Sequence, residues 1–537
     1  MKIVFVVIGA EQIGISQLSS IVKRDGHEVG IAFSAAMFDD RTNLDIPFLA
    51  RMFDDYDDVM KTIAEQKPDV LAFSALTATY QWLLRVARDA KIMFPNVKTV
   101  FGGVHISAVP DRAIARPEVD YVVVGEGDIS FPKILEAIER GDRLTPIPNT
   151  RFKAIDGTII RGIQQGFVQD LDNLPFPDKT IWEDHIRIKD LYLIISSRGC
   201  PYTCSFCFNN FYVRLPEEKK GKYVRQRSVD HVMQELIWAK KRYDIQVVDF
   251  QDDIFTLSKP WVKEFCERYK KEIDRPFQIL VHPKYFDDDM ARWLKEAGCD
   301  WVQMGIQTMD EKFKHETLRR YEDSNHIVDG LNSMNKYRLK PKVDHMFGLP
   351  GEPIESQATA LKVYAESTPR RISTFWTTFL PGTDMMKQAL ASGRISNEYA
   401  ESLYEGEGFY FFRNEDNITD KHLVKTYQQY ELIYKILPVL PKSWRPKIKL
   451  SHVAWISKVP ARMISVVLDV YGGFRNSNPE YPAYIRHYVF HMTSFLKKRL
   501  GFKPGKATTP AAGTTKMPPE FVQVKQVAME EAHKSVA

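Results

Sequence analysis

The stretch Ser197-Arg198-Gly199-Cys200-Pro201-Tyr202-Thr203-Cys204-Ser205-Phe206-Cys207 holds three of the chain's five cysteines. Five cysteines in 537 residues are too few for a disulfide scaffold. Their clustering points to a metal in a reducing compartment. The C-x3-C-x2-C spacing directly follows a predicted strand, Tyr192–Ser196, so a compact loop can aim three thiolates at one point. Three thiolates can hold three irons of a cubane [4Fe–4S] cluster and leave the fourth open to a small molecule. Two alternatives are three buried thiols and a zinc knuckle. Zinc wants four ligands closed around it, and the remaining cysteines, Cys266 and Cys299, lie far along the chain.

Outward from this loop, short apolar runs alternate with helical patterns. Downstream, strands are predicted at Val247–Gln251, Phe277–Val281, Trp301–Ile306, Lys342–Phe347 and Ile372–Phe379. With Tyr192–Ser196 they make six repeats, a partial (β/α)6 barrel over 191–394. Upstream, Lys2–Ile8, Glu28–Phe33, Val70–Ser74, Thr99–Phe101 and Tyr121–Val124 alternate with helices across 1–140. That pattern predicts an α/β domain, a flavodoxin-like doubly wound parallel sheet with ligands at the carboxyl ends of its strands. Between the two, 141–190 loses its period and is punctuated by Pro146, Pro148, Pro175 and Pro177, which reads as a linker. Residues 395–502 read as a mostly helical, basic-aromatic region, and 503–537 as a disordered tail.

The cysteine loop, with Phe206 before its last cysteine and a strand before its first, resembles the radical S-adenosylmethionine (SAM) superfamily. The resemblance implies a [4Fe–4S] cluster on Cys200, Cys204 and Cys207 whose open iron chelates SAM. Reduction then cleaves SAM to a 5′-deoxyadenosyl radical that abstracts hydrogen from a substrate. Phe206, the strand end Gln251-Asp252-Asp253, Gln307, and Gly348 and Gly351 are the SAM-binding candidates it implies. Relatives often carry a carboxylate where Gln307 stands. Asp252 and Asp253 have a plainer alternative as helix N-caps.

Residues 1–140 resemble the cobalamin-binding, Rossmann-like domain that precedes the barrel in one subgroup. The implied contacts are Gln12, Gly14, Ser74, Thr77, Gly102, Gly103, His105, Gly125, Glu126 and Gly127. Small residues at strand ends let backbone approach a large corrin. Many cobalamin enzymes carry Asp-x-His-x-x-Gly in the first loop, with the His on cobalt. Here the loop is Gly9-Ala10-Glu11-Gln12-Ile13-Gly14, so Glu11 occupies the His position and no axial His is present there.

The net charge of +5 is too mild to imply nucleic acid. Its distribution says more. Residues 435–503 carry net +11, leaving −6 for the rest. Aromatic residues interleave this stretch, and Val459–Tyr471 and Tyr484–Leu500 fit amphipathic helices. Three readings are open: a solvated basic domain packed on the barrel, a peripheral membrane surface, and an RNA surface. Methylthiotransferases acting on tRNA resemble a layout with cysteines upstream of the barrel, which this chain lacks. No apolar run reaches the length of a spanning helix, and the N-terminus does not read as a signal peptide. The expected location is cytoplasmic, with the inner membrane surface as the alternative for the basic region.

The resemblance implies a cobalamin-dependent methyltransferase acting on an unactivated carbon of a small-molecule or lipid-like substrate. It would be served by an external electron donor of flavodoxin or ferredoxin type. Two other readings share the domains: a non-methylating enzyme of the Mg-protoporphyrin ester cyclase kind, and a corrinoid sensor or carrier with an inactive barrel.

Overall fold

The computed structural model describes residues 1–39, 46–216, 221–407, 421–453 and 461–511. Its first layer is a seven-stranded sheet of β1 (Lys2–Ile8), β2 (Glu28–Ser34), β3 (Val70–Ser74), β4 (Lys98–Gly102), β5 (Tyr121–Val123), β6 (Thr150–Lys153) and β7 (Ile159–Arg161). The order is β2-β1-β3-β4-β5-β6-β7, and β1 to β5 run parallel. Ile3, Phe5 and Val7 enter one core while Val4 and Val6 enter the core on the opposite face. A strand covered on both faces is an unbroken apolar run, which is why β1 was plain in the sequence.

The stretch 141–190 is more than the expected linker. β6 and β7 form an antiparallel hairpin that extends the first sheet beyond β5. The next segment straps the helix Ile13–Arg24. Gln17 donates to the Pro175 carbonyl at 2.8 Å, Ser19 to Asp178 at 2.7 Å, and the buried Trp182 indole to Ser16 Oγ at 2.7 Å. The prolines break the period without freeing the chain, because side chains of the helix satisfy the strap's backbone carbonyl and its carboxylate.

The second layer is a six-stranded parallel sheet. Its strands are β8 (Tyr192–Ile194), β11 (Val248–Phe250), β12 (Phe277–Val281), β13 (Cys299–Gln307), β14 (Lys340–Phe347) and β15 (Arg371–Trp376), hydrogen-bonded in that order. A short ribbon of β9 (Ser197–Arg198) and β10 (Arg225–Gln226) follows β8. Six parallel strands in sequential order make an open barrel wall, as the repeats predicted.

The C-terminal region is helical. The helix Lys421–Ile436 seals the outside of β14 and β15 by packing Tyr427 and Tyr434 on Phe347, and Tyr427 on Trp376. The helices Ala461–Arg475 and Glu480–Arg499 replace the two predicted amphipathic ones. Residues 459 and 460 of the first prediction lie outside the described residues. The start of the expected disordered tail is docked. Thr508 N–H donates to the Glu183 carbonyl, Thr508 Oγ1 accepts from Ile188 N–H, and Ala511 N–H donates to the Arg242 carbonyl. Residues 512–537 of that expectation lie outside the described residues. Among the described residues no helix is long and apolar enough to cross a membrane.

Candidate active site

The cysteine loop is held from several sides. Gly199 turns at φ +86°, and a Cβ there would sit 2.4 Å from the Tyr223 carbonyl oxygen, so only glycine fits. Ser205 donates through N–H to the Leu318 carbonyl and through Oγ to the Thr317 carbonyl, at 3.0 and 2.7 Å. Asn210 donates to the Thr203 carbonyl at 3.0 Å.

The three thiols feel one another. Burial pushes Cys200 and Cys207 up to about 12, and the neighbouring thiols and Asp253 push the same way. Burial also raises Cys204, against the opposing pull of Arg320. Buried thiols of this kind ionise when a bound cation supplies the charge. Among the described residues no three His, Cys, Asp or Glu side chains are placed to hold one metal ion together. A cubane takes one thiolate on each of three irons, the ligand set that the three cysteines of this loop offer. Cys266 and Cys299 are buried in the barrel wall and form no part of this loop.

The acidic strand end divides into two roles. Asp252 is 1% exposed and accepts from Ser196 N–H, Ser196 Oγ and Ser197 Oγ at 2.5–3.1 Å. Its hydrogen bonds tie it to the end of β8. Neither it nor Asp253 caps a helix: the next helix, Lys259–Glu272, starts after Ser258. Asp253 is exposed and acts electrostatically on Cys200 and Cys207. Gln251 is also exposed and donates to Asp249 at 2.7 Å. Gln307 stands at φ +68° beside a register shift at Gly305, a strained strand end for a non-glycine residue. Gly348 and Gly351 take positive φ. Phe206 packs with Met346 and Leu349, so it shares a cluster with the Gly348 turn.

Sequence reasoning missed a network beneath Cys204. Arg320 interacts with Cys204, donates to the Gly305 carbonyl at 2.7 Å and pairs with Glu322 at 2.8 Å. Glu322 lies 3.4 Å from His282, and His282 stacks on Tyr202 at 4.3 Å. These residues belong to an irregular turn after β13 and to the end of β12, where no period marks them.

The barrel wall carries a polar arc. Gln303 donates to Asp344 at 2.7 Å. Glu480, from the last helix, reaches Lys342 at 2.9 Å and Arg371 at 2.6 Å. Burial raises Glu480, but Lys342 and Arg371 outweigh it and hold the carboxyl down at about 2. Burial, with Glu480 facing it, pushes Asp249 up to about 7.

In the first domain a cavity of about 250 Å³ opens at the carboxyl edge of the sheet. Gly14, Ser74, Gly102, Gly103, Gly125, Glu126 and Gly127 line it, joined by Ile195 and Arg198 from the barrel side. Gly103 (φ +98°) is a required glycine, since a Cβ would lie 2.7 Å from Ala75 N. Gln12 precedes the helix Ile13–Arg24 outside the lining, and Thr77 and His105 also stand outside it. His105 is 1% exposed, lies 3.1 Å from Thr77 Oγ1 and packs on Tyr80; burial lowers it to about 4. Its side chain is buried, between Thr77 and Tyr80. Glu11 is buried in an ion pair with Lys179, so the residue at the cobalt-ligand position is already neutralised.

Carboxylates on the loop after β5 pair with the two strands of the ribbon that flanks the cysteine loop. Arg198 grips Asp128 at 2.8 Å, and Arg225 grips Glu126 at 2.7 Å. The carboxyl edges of the two sheets therefore face each other.

Two family models match the chain. The B12 binding domain matches residues 18–135 and the Radical SAM superfamily matches 194–363. The chain carries a B12-binding domain and a radical SAM domain. The cofactors that go with them are a [4Fe–4S] cluster, SAM and cobalamin. An uncharacterised methyltransferase of Pyrococcus horikoshii is 27% identical over 74% of this chain and 84% of its own length. The cytidylyl-2-hydroxyethylphosphonate methyltransferase of Streptomyces wedmorensis is 22% identical over 73% of this chain and 80% of its own. The anaerobic magnesium-protoporphyrin IX monomethyl ester cyclase of Rubrivivax gelatinosus is 27% identical over 49% of this chain and 48% of its own. Among solved structures, the radical SAM methyltransferase TsrM of Kitasatospora setae aligns with TM-score 0.56 and 18% identity over 73% of this chain and 76% of its own. The cobalamin-dependent radical enzyme OxsB aligns with TM-score 0.60 and 13% identity over the whole of this chain and 80% of its own. At these identities the structures establish the shared fold of the two-domain radical SAM chain.

Proposed function

We propose that this radical SAM enzyme is a cobalamin-dependent methyltransferase acting on an unactivated carbon. The observation that carries the reading is the shared cavity: Arg198, two residues before Cys200, walls the space lined by the glycine turns of the B12-binding domain. That contact of the barrel's first strand end with the cavity supports a placement of the two cofactors near one another. The methyltransferase names of relatives matched along most of their length support the same reading.

When bound, the cluster and cobalamin supply radical generation from SAM and a methyl carrier. Cys200, Cys204 and Cys207 would hold the cluster. Asp253, Gln307, Phe206 and the Gly348–Gly351 turn are the groups we assign to SAM. Gly14, Ser74, Gly102, Gly103, Gly125 and Gly127 would let the corrin and its tail approach the backbone. Glu126 holds that loop against Arg225. The polar arc of Gln251, Gln303 and Asp344 offers hydrogen bonds to a small-molecule or lipid-like substrate. An external one-electron donor of flavodoxin or ferredoxin type completes the system.

The test is anaerobic reconstitution with iron, sulfide and hydroxocobalamin, then SAM and a strong reductant, with products read by mass spectrometry. Retained cobalamin with both 5′-deoxyadenosine and S-adenosylhomocysteine is expected. Retained cobalamin with 5′-deoxyadenosine alone would favour the cyclase-like reading, which the Rubrivivax relative supports over half of the chain. Retained cobalamin with neither product, on a proven cluster, would favour a corrinoid carrier.

A spectroscopic prediction follows from Glu11 and His105. Bound cob(II)alamin will show no nitrogen splitting from a protein histidine in its electron paramagnetic resonance spectrum. His105→Ala will leave that spectrum unchanged. A histidine-type splitting in the parent protein that disappears in the variant would overturn the placement of His105.

A further inference from the structure

We propose that the outer faces of the helices Ala461–Arg475 and Glu480–Arg499 form a docking surface for an anionic lipid bilayer. Each helix has a committed inner face. Ile464 and Leu468 of the first pack against the barrel core. Tyr488, Met492 and Phe495 of the second pack against a cluster of Phe38 and Phe53 in the B12-binding domain. Beside these packed faces each helix carries further apolar residues that are open to solvent. On the first helix Val466, Val467, Val470, Tyr471 and Phe474 are exposed, Val467 by 66%. On the second, Ile485, Val489, Leu496 and Leu500 are 42–73% exposed, and they recur at the spacing of one helical stripe. Single exposed apolar residues need no explanation, but runs of this length on adjoining helices mark an interaction surface.

Charge selects the occupant. Lys497 and Arg499 flank the stripe of the last helix and Lys503 follows it, within a stretch carrying net +11. An apolar helical face bordered by Lys and Arg matches the boundary of an anionic bilayer, where acyl chains take the stripe and headgroups take the charges. The helices would lie on the membrane and not span it. The surface is also firmly mounted: Glu480 is fixed in the barrel wall and His491 hydrogen-bonds the His185 carbonyl at 2.9 Å. This inference is independent of the reaction catalysed.

The experiment is co-sedimentation of the full-length holoprotein with phosphatidylcholine vesicles, with and without about a third phosphatidylglycerol. Binding that needs phosphatidylglycerol and is released by high salt is expected. The triple variant Val467→Glu/Val489→Glu/Leu496→Glu should lose binding to the phosphatidylglycerol-containing vesicles. Lys497→Gln/Arg499→Gln should weaken it about thirtyfold, the effect of removing two basic residues near an anionic surface. Both variants alter exposed side chains and should keep the parent's melting temperature, which separates lost docking from lost folding. Equal binding to neutral vesicles, or no binding to either, overturns the proposal. So does a dimer in solution that the triple variant dissociates, because a second copy would then cover the face.

Discussion

Replacing Cys204 by Ala will abolish the iron–sulfur cluster. Iron in the reconstituted protein should fall from about four per chain to well below one. Formation of 5′-deoxyadenosine should fall by about three orders of magnitude or more, since the protein has no other route to that chemistry. Cys200→Ala and Cys207→Ala should behave alike, because each thiolate serves a different iron. Cys266→Ala and Cys299→Ala are the control: both side chains are buried in the barrel wall, away from the loop. Full iron content and activity are expected from them. A fall in bound metal in either control would revive a closed four-ligand site. Iron analysis, the visible charge-transfer absorbance and product counting together read the result.

Glu480→Ala should be strongly destabilising. It would leave Lys342 and Arg371 largely buried with their carboxylate removed. Breaking a buried pair from one side costs about 3–5 kcal/mol when fully enclosed, and the lower end fits these partly exposed partners. Faster hydrogen exchange in β14 and β15 and an earlier unfolding transition should report it. The pH dependence has a definite sign. The folded pKa of Glu480 is depressed to about 2, so its contribution is complete above the ordinary carboxylate value and is lost as pH falls from about 5 toward 2. The gap between parent and variant should close over that window. Asp249 works in the opposite sense. Its folded pKa near 7 lies above the ordinary value, so the folded state holds that proton more tightly and stability declines as pH rises from about 4 to 7. A gap that stays constant down to pH 2 would show that Glu480 is not the counter-ion of Lys342 and Arg371.

The parallel strands were legible because each is an apolar run buried on both faces; β1, β3 and β12 occupy the residues that the sequence predicted. The hairpin of β6 and β7 was not, because it is short and lies at the sheet edge, where β6 buries only every other residue and β7 none. Within the site, the cysteine spacing and the glycine turns were readable as chemistry. Asp252 and Asp253 were not separable, since a buried and an exposed carboxylate at one strand end differ only in which way adjacent side chains turn. His105 looked ligand-facing because its turn is; its side chain leaves toward Thr77 and Tyr80 instead. Arg320, Glu322 and His282 meet through the fold alone, and Lys179 finds Glu11 across 168 residues.

The last helix starts inside the barrel wall at Glu480 and goes on to cover Phe38 and Phe53 of the other domain. It is a splint across both cofactor modules, so the chain is not a string of interchangeable parts. A B12-binding domain produced by itself would present those two phenylalanines to water, and a chimera that imports a relative's first domain would need to import this helix with it. Exchange of modules in such a chain has to cut after residue 499, not at the segment between the sheets.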